Sequence, residues 1–361
     1  MLKITIIAGA RPNFMKIAPI VRTIESVRKQ GKQVAYRLIY TGTETDASIE
    51  ASLFSDLQMK TPDKYLNAEG NTSIELAASI MVAFERELLQ NPAHIVLVVD
   101  DFTATMSCAI VAKKHNVKVA HLVAGTRSFD LDMPKEVNRM VTDGLSDYHF
   151  IAGMTANRNL NQTGTLADNV YFVGNILIDT IRFNRNQLIK PIWFSSLNIK
   201  EHNYLLLTIN RHALIRDKKN LKKLIETIIY KSKGLPVIAP LHTYVRDVLT
   251  ELQLSAPNLH VLPPQSYLHF GYLVNNAKGI ITDSGNVAEE ATFLQIPCIT
   301  LNSYAEHPET WQVGTNVLVG ESPEKLSNEL DTLMNGHWKD SRLPERWDGR
   351  TAERIVQILL D

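Results

Sequence analysis

The sequence predicts an α/β protein built of two doubly wound, Rossmann-like domains facing each other across a cleft. Three observations predict it. Short apolar runs rich in β-branched residues recur along the chain, each followed by a polar turn and a helical pattern. The runs are near-continuous rather than alternating, which suits parallel strands buried on both faces. They also fall into two sets with one non-repeating stretch between them, in a chain of 361 residues that can bury two separate cores.

In order, the first set reads KITIIAG, VAYRLIYTG, HIVLVVDD, VKVAHLVAG, YHFIAG and VYFVG, and the second YLLLTIN, PVIAPLH, LHVLPP, KGIITDSG, PCITLN and TNVLVG. Twelve strands in two sets of six place one domain over residues 1–175 and another over 200–349. The intervening 176–199 stretch reads as a helix end followed by a hinge or linker. The closing segment TAERIVQILLD, about 350–361, is an amphipathic helix expected to pack back on the first domain.

Composition excludes several classes. There are 38 basic and 38 acidic residues, so the basic excess of a nucleic-acid binder is missing. No apolar stretch reaches the ~18 residues of a membrane span. The run in MLKITIIAGARP is too short for a signal peptide and lacks a cleavage site. Cys108 and Cys298 match no metal or disulfide spacing and read as buried small hydrophobes in a reducing, cytoplasmic setting. No His/Cys/Asp cluster has ligand spacing, so no metal is expected.

In open α/β sheets ligands bind beyond the carboxyl ends of the strands, so the residues there matter most. GARPNFMK follows the first run: Gly9 permits a tight turn, and Arg11 and Lys16 flank a helix start with Pro12 in its first turn. That combination suits an anion, although from this stretch alone Arg11 reads more readily as a solvated turn residue. The stretch is neither GxGxxG nor a Walker loop, so no nicotinamide or other cofactor is implied. Glu44 and Asp46, after the second run, read as helix caps. Asp100 and Asp101, after the third, are costly at a buried strand end unless paired or capping; Asp101 could cap the helix TATMSCAIVAKKH. After the fourth, HLVAGTRSFDLDMPKEVNR sets out Arg127, Lys135, Glu136, Asn138 and Arg139. In the second half, Asp283, Ser284 and Gly285 end a strand and start a helix, which suits a diphosphate. Glu289 and Glu290 follow, and a carboxylate there could accept both hydroxyls of a ribose. Gln265, Tyr267 and Phe270 sit beside another strand end, where an aromatic could stack on a base or simply fill the core.

Together these pieces resemble the non-hydrolysing UDP-N-acetylglucosamine 2-epimerases, over essentially the whole chain. The family's G-T-R-P-E-x-x-K stands here as GARPNFMK, its H-V-E-A-G-L-R as HLVAGTR, its P-E-E-x-N-R as PKEVNR and its T-D-S-G-G-x-Q-E-E as TDSGNVAEE. Its P-x-H appears as PLH, and its R-P-E turn as HPE at His307 to Glu309. The resemblance implies a UDP-sugar ligand with UDP against the second domain: Ser284 and Gly285 on the diphosphate, Glu290 on the ribose, Phe270 and Gln265 near the uracil, and Arg11 reaching the phosphates from the first domain. Lys16, Arg127, Arg139, Asn210, Arg211 and His242 would form the wall around the sugar and phosphates. It also implies a homodimer formed through the first domain.

The family reaction removes the C2 proton of the sugar, expels UDP, and adds it back with inverted C2 stereochemistry, which needs positioned acid–base groups. The resemblance puts glutamate at two positions held here by Val123 and Lys135, and histidine at Asn210. Asp101, Glu136, Asn138, Arg139, Arg127 and Arg211 keep the family residue. A valine cannot carry a proton, and a lysine is a base only when desolvated. The remaining acid–base candidates are Asp100, Asp101, Lys135, Glu136, His242 and His212; the last lies two residues from Asn210 and, in an extended segment, on the same side. Three readings follow: an epimerase with rewired proton transfer, a nucleotide-sugar-binding protein without turnover, and a glycosyltransferase on the same scaffold.

Overall fold

A computed structural model describes residues 1–361. The chain divides into two compact units, Met1–Arg182 with Glu345–Asp361, and Phe183–Pro344. The change of unit, from Arg182 to Phe183, falls within the helix Ile176–Asn184, and a short helix at Ile192–Ser196 follows in the second unit. No helix is long and apolar enough to cross a membrane.

The first unit is built on a seven-stranded sheet: β1 (Leu2–Ala8), β2 (Val34–Tyr40), β3 (Lys64–Tyr65), β4 (Ile95–Val99), β5 (Lys118–Leu122), β6 (Tyr148–Ile151) and β7 (Val170–Phe172). Every pairing is parallel, as in Thr5 opposite Val96 and Val98 opposite His121. The central β4 is buried along its whole length, which is why IVLVV shows no alternation. Its side chains Val96 and Val98 pack with Phe84, Cys108 and Val119 beneath the helices that cover that face. The two-residue β3 is a correction to the expected six strands; KY is too short and too polar to register as an apolar run.

The second unit carries β8 (Leu205–Thr208), β9 (Val237–Pro240), β10 (Leu259–Leu262), β11 (Gly279–Thr282), β12 (Cys298–Thr300) and β13 (Asn316–Leu318), again all parallel. Leu205, Leu207, Ile281 and Ile299 of its strands pack with Leu224, Ile225 and Leu330 of its helices.

Both sheets reverse direction at one place. The orders are β3-β2-β1-β4-β5-β6-β7 and β10-β9-β8-β11-β12-β13. The crossovers leave to one side from β1 and to the other from β4, so the connections after these two strands diverge and open a crevice between them. In the second unit the same happens between β8 and β11. The topology thus selects four strand ends as ligand-facing: those of β1, β4, β8 and β11.

The carboxyl-terminal helix Thr351–Leu360 returns to the first unit, where it packs against the long helix Arg11–Lys29. Its first N–H groups have no partner within the helix, and Arg350 at its start offers no side-chain cap. Asp179 supplies one from outside: its carboxylate accepts from Thr351 N at 3.1 Å and Ala352 N at 2.8 Å. Burial pushes this carboxyl up to about 6 despite the two donors. Replacing it by alanine strands two buried N–H groups, each costing ~1–3 kcal/mol. Asp179→Ala should therefore lower the thermal midpoint and speed amide exchange at residues 351–360, measured by hydrogen-exchange mass spectrometry. Unchanged exchange there would show that the helix is held by its apolar face alone.

Candidate functional site

The first unit's site forms where β1, β4 and β5 end. After β1, Gly9 leads into the helix Arg11–Lys29, and Asn13 caps its start: Asn13 Oδ1 accepts from Gly9 N and Ala10 N at 2.8 and 3.2 Å. After β4, Asp100 turns the chain with φ +60°, a left-handed conformation that aspartate tolerates better than most residues. Its carboxylate accepts from Lys16 Nζ at 2.6 Å and Asn13 Nδ2 at 2.9 Å, and so ties the two strand ends of the crevice together. Asp101 does not cap the following helix. Phe102 stands at the N-cap without a side-chain bond, because the Asp101 carboxylate is turned to Arg139 instead.

Arg139 is the hub of this site. It donates through Nε and Nη2 to Asp101 Oδ2 at 3.0 and 2.6 Å, and through Nη1 to Glu136 Oε2 at 3.2 Å. Lys135 Nζ adds a contact to Asp101 Oδ1 at 3.1 Å, and Asn138 Nδ2 holds the Asp101 carbonyl at 2.9 Å. Glu136 also accepts from the N–H and hydroxyl of Ser128, each at 2.8 Å, which fixes the loop after β5. Arg139 and Glu136 are 2% and 1% exposed, whereas the Lys135 side chain is half in solvent. A second pair lies alongside: Arg127 donates to Asp143 at 2.5 Å, and His121 bridges Asp143 Oδ1 at 2.7 Å and the Asp100 carbonyl at 2.8 Å.

The charge pattern holds all three buried carboxylates ionised. For Asp101, burial raises the carboxyl, but Lys135 and Arg139 overcome it and leave it below its ordinary range. For Glu136, burial is likewise outweighed, by Ser128 and Arg139. For Asp143, it is outweighed by His121 and Arg127. Such carboxylates are weak bases at neutral pH.

The turn after β5 is strained. Val123 sits at φ +71°, which is costly for a β-branched residue, and Val123 N and Ala124 N both donate to Phe150 O at 3.1 Å. Gly125 follows at φ +75°, where an added Cβ would lie 2.6 Å from Ala156 O. The glycine is therefore required both by conformation and by space.

The second unit's site forms where β8 and β11 end. Asp283 Oδ2 accepts from the N–H groups of Asn210 and Arg211, both at 2.7 Å, tying these strand ends as Asp100 ties the other pair. Desolvation raises its carboxyl, partly offset by these donors. Ser284 stands at the N-cap of the helix Gly285–Leu294 with no side-chain cap bond, and Glu289 and Glu290 are buried in that helix. Arg211 pairs with Glu321 through one terminal nitrogen, while its Nε is buried without a hydrogen-bond partner. Tyr244 hydroxyl donates to Asn210, main chain and side chain. Its ring stacks with those of His212 and His242, with centroids 5.3 and 6.0 Å away. His212 begins the helix His212–Arg216, so the expected extended segment is not there; the strand ends at Thr208. Gln265 accepts from Trp193 Nε1 at 3.2 Å, and Phe270 packs on the core around Phe194 and Tyr272.

The family description "UDP-N-acetylglucosamine 2-epimerase" matches residues 26–360. The chain belongs to this family. A curated UDP-N-acetylglucosamine 2-epimerase of Methanocaldococcus jannaschii is 33% identical over 372 residues, covering 99% of each chain. The crystal structure of the Methanocaldococcus jannaschii UDP-GlcNAc 2-epimerase in complex with UDP-GlcNAc and UDP superposes with a TM-score of 0.87 over 99% of each chain. A UDP-2,3-diacetamido-2,3-dideoxy-D-glucuronate 2-epimerase of Pseudomonas aeruginosa is 31% identical over 361 residues, again covering 99% of each.

Within this epimerase-family chain, the first unit brings Lys135, Glu136, Arg139 and Asp101 together, with Arg127 alongside. Lys16 joins through Asp100, and Arg11 is engaged elsewhere, by Glu50. The second unit gathers Asn210, Arg211, His212, His242 and Asp283, with Ser284 and Gly285 next along the chain. Glu44 and Asp46 cap no helix: the segment is a run of turns, in which Asp46 accepts from Ser48 N at 2.8 Å and from Tyr40 hydroxyl. Sequence reasoning missed Asn13, Glu50, His121, Asp143 and Tyr244. Asp143 carried a signal, since Glu136, Arg139 and Asp143 recur at i, i+3 and i+7 on one helix face; the others become neighbours of the site through folding alone.

The pH dependence of stability follows from these carboxyls. Asp101, Glu136 and Asp143 are depressed below ordinary values of 3.8, 4.5 and 3.8, so their contribution is complete above about pH 5 and is lost as pH falls through the folded-state values. Asp179, raised to about 6, has the opposite sign: its contribution is complete below about pH 4 and lost as pH rises through 6. Chemical denaturation from pH 2 to 7 should show stability climbing steeply to about pH 4–5, with unfolding taking up protons. Above that, Asp179 should produce a shallow decline that Asp179→Asn abolishes. A flat profile below pH 5 would contradict the ionised network.

Proposed function

We propose that the protein binds a UDP-N-acetylhexosamine and acts on C2 of the sugar, slowly. On this reading the diphosphate lies at Ser284 and Gly285, the ribose at Glu290 and the uracil near Gln265 and Phe270. Arg11 reaches the phosphates, and the sugar meets the wall of Lys16, Arg127, Lys135 and Arg139. The observation that carries it is the β8–β11 switch point. There a helix N-terminus lacks a side-chain cap and a buried arginine nitrogen lacks a partner, a combination that suits an anion. Family membership supplies the ligand class.

In the chemistry of this reading, the C2–H bond breaks and its electrons form the C1–C2 double bond. The C1–O bond to the diphosphate breaks, and UDP leaves with that electron pair. Return of UDP to C1 and of a proton to the other face of C2 completes the inversion. Arg139 and Lys135 can steady the developing negative charge. The base is the weak point: Asp101 and Glu136 are ionised but already accept from arginine, lysine and serine. That favours a second reading, a nucleotide-sugar-binding protein with little or no turnover. Val123 and Asn210 cannot titrate, and His212 and His242 are the imidazoles left at the second unit's strand ends.

The two readings part in one experiment. Calorimetry should show UDP binding more tightly than uridine. Proton NMR of UDP-GlcNAc in deuterated water should show slow solvent exchange at C2. The variant carrying Val123→Glu, Lys135→Glu and Asn210→His should exchange about 10²-fold faster or more, the usual worth of a restored acid–base group. Absence of exchange in both proteins, with UDP still bound, would leave the binding reading alone. Absence of UDP binding would remove both.

The protein is further proposed to be a homodimer through the first unit. The helix Ser73–Gln90 exposes Ile74, Val82 and Leu89 by 74%, 51% and 62%, with Ala78 between them on the same side. Light scattering should give twice the chain mass of 40.6 kDa, falling to the single-chain mass in Val82→Glu/Leu89→Glu. A monomeric wild type would dismiss the proposal.

A further inference from the structure

Arg11 stands first in the helix Arg11–Lys29, at the carboxyl end of β1 and beside the first unit's switch point. It is not held out to solvent. Its Nε donates to Glu50 Oε2 at 2.6 Å and its terminal nitrogen to Glu50 Oε1, so one carboxylate meets the guanidinium with both oxygens. This fork is the geometry in which arginine takes two oxygens of a phosphate. The helix has no acidic residue in its own first turn; Asp100 meets its Asn13 and Lys16, and Glu50 meets its Arg11.

The presentation of Glu50 is local and specific. It follows β2 on a run of turns organised by Asp46, which accepts from Ser48 N, while Ile49 N donates to Asp46 O at 3.0 Å. The Glu50 side chain has no other hydrogen-bond partner, and both partners of the pair are about a quarter exposed, at 28% and 26%. The contact is therefore accessible to a competing anion, and the carboxylate can swing into water when displaced.

We infer that Glu50 is an affinity- and specificity-setting residue for the nucleotide: an internal carboxylate that occupies Arg11 and must be expelled before a diphosphate can use it. The inference rests on the proposed binding of a uridine nucleotide with Arg11 at its phosphates. Any ligand that engages Arg11 bears the cost of breaking the pair; one that does not, such as the bare nucleoside, bears none. Glu50 therefore weakens diphosphates selectively.

The test is calorimetry of UDP and uridine against the full chain, wild type, Glu50→Gln and Glu50→Ala, with thermal melting without ligand to show that each variant is folded. Both variants should bind UDP about tenfold more tightly, the range expected when a competing charge-assisted pair is removed. Uridine affinity should stay within twofold. Equal or weaker UDP binding in the two variants would overturn the inference, and so would an equal gain for uridine. Loss of UDP binding in all three proteins would instead overturn the nucleotide reading on which it stands.

Discussion

Arg139, almost wholly buried between Asp101 and Glu136, is the constraint on which the first unit's site depends. Three charges out of water are tolerable only when every donor and acceptor among them is used. Here the demand is met by structure from three places in the chain. Asp101 comes from the end of β4, Glu136 and Arg139 from one helix, and Ser128 from the loop after β5. Because the ions must be satisfied together, the loop after β5 cannot drift from the helix that follows it. The Asn138 amide then locks the main chain of Asp101 to the same helix. The polar stretch between Arg127 and Arg139 is first a device for fixing backbone.

That role bears directly on chemistry. A carboxylate that holds a buried arginine is poorly suited to abstract a proton from carbon, because the field that keeps it ionised also weakens it as a base. Scaffold and base pull on the same groups in opposite directions. In the family motif the resemblance resolves this by adding carboxylates at positions 123 and 135, beyond those already tied to arginine. Val123 and Lys135 stand at those positions here, while Asp101, Glu136 and Asp143 are all tied to arginine. At the second unit's strand ends, Gly285 starts a helix in which Glu289 and Glu290 are buried, and Asp283 joins two strand ends through main-chain donors.

Much of the architecture was legible in the sequence because burial on both faces writes a strand as an unbroken apolar run. IVLVV could hardly be anything else, and a glycine or an acid after several of the runs marked the turn. The two-residue β3 was not legible, since KY buries too little to show a pattern. Local capping was misread at Asp46 and left open at Asp101 for one reason: a short acidic side chain before a helical pattern has a cap as its nearest use, but another partner can outbid it. Tyr40 and Ser48 take Asp46, and Arg139 takes Asp101. Partners brought in from other strand ends, such as Glu50 on Arg11 and Tyr244 on Asn210, have no sequence signal at all.

Backbone conformation shows how far side chains can change while the site keeps its shape. Asp100 and Val123 both hold positive φ, at +60° and +71°, and they follow the neighbouring strands β4 and β5, of which β4 borders the crevice. A valine would not choose that conformation; its branched Cβ crowds the adjacent carbonyl. It is imposed by surrounding main chain, with two successive N–H groups meeting the single Phe150 carbonyl and Gly125 fitted against Ala156. Asp100 offsets part of its own strain through Lys16 and Asn13, whereas Val123 contributes no side-chain bond to offset anything. A residue that costs stability and supplies no proton chemistry marks a backbone path set by its neighbours rather than by the residue itself. The crevice is thus a property of strand order, main-chain turns and the buried ions.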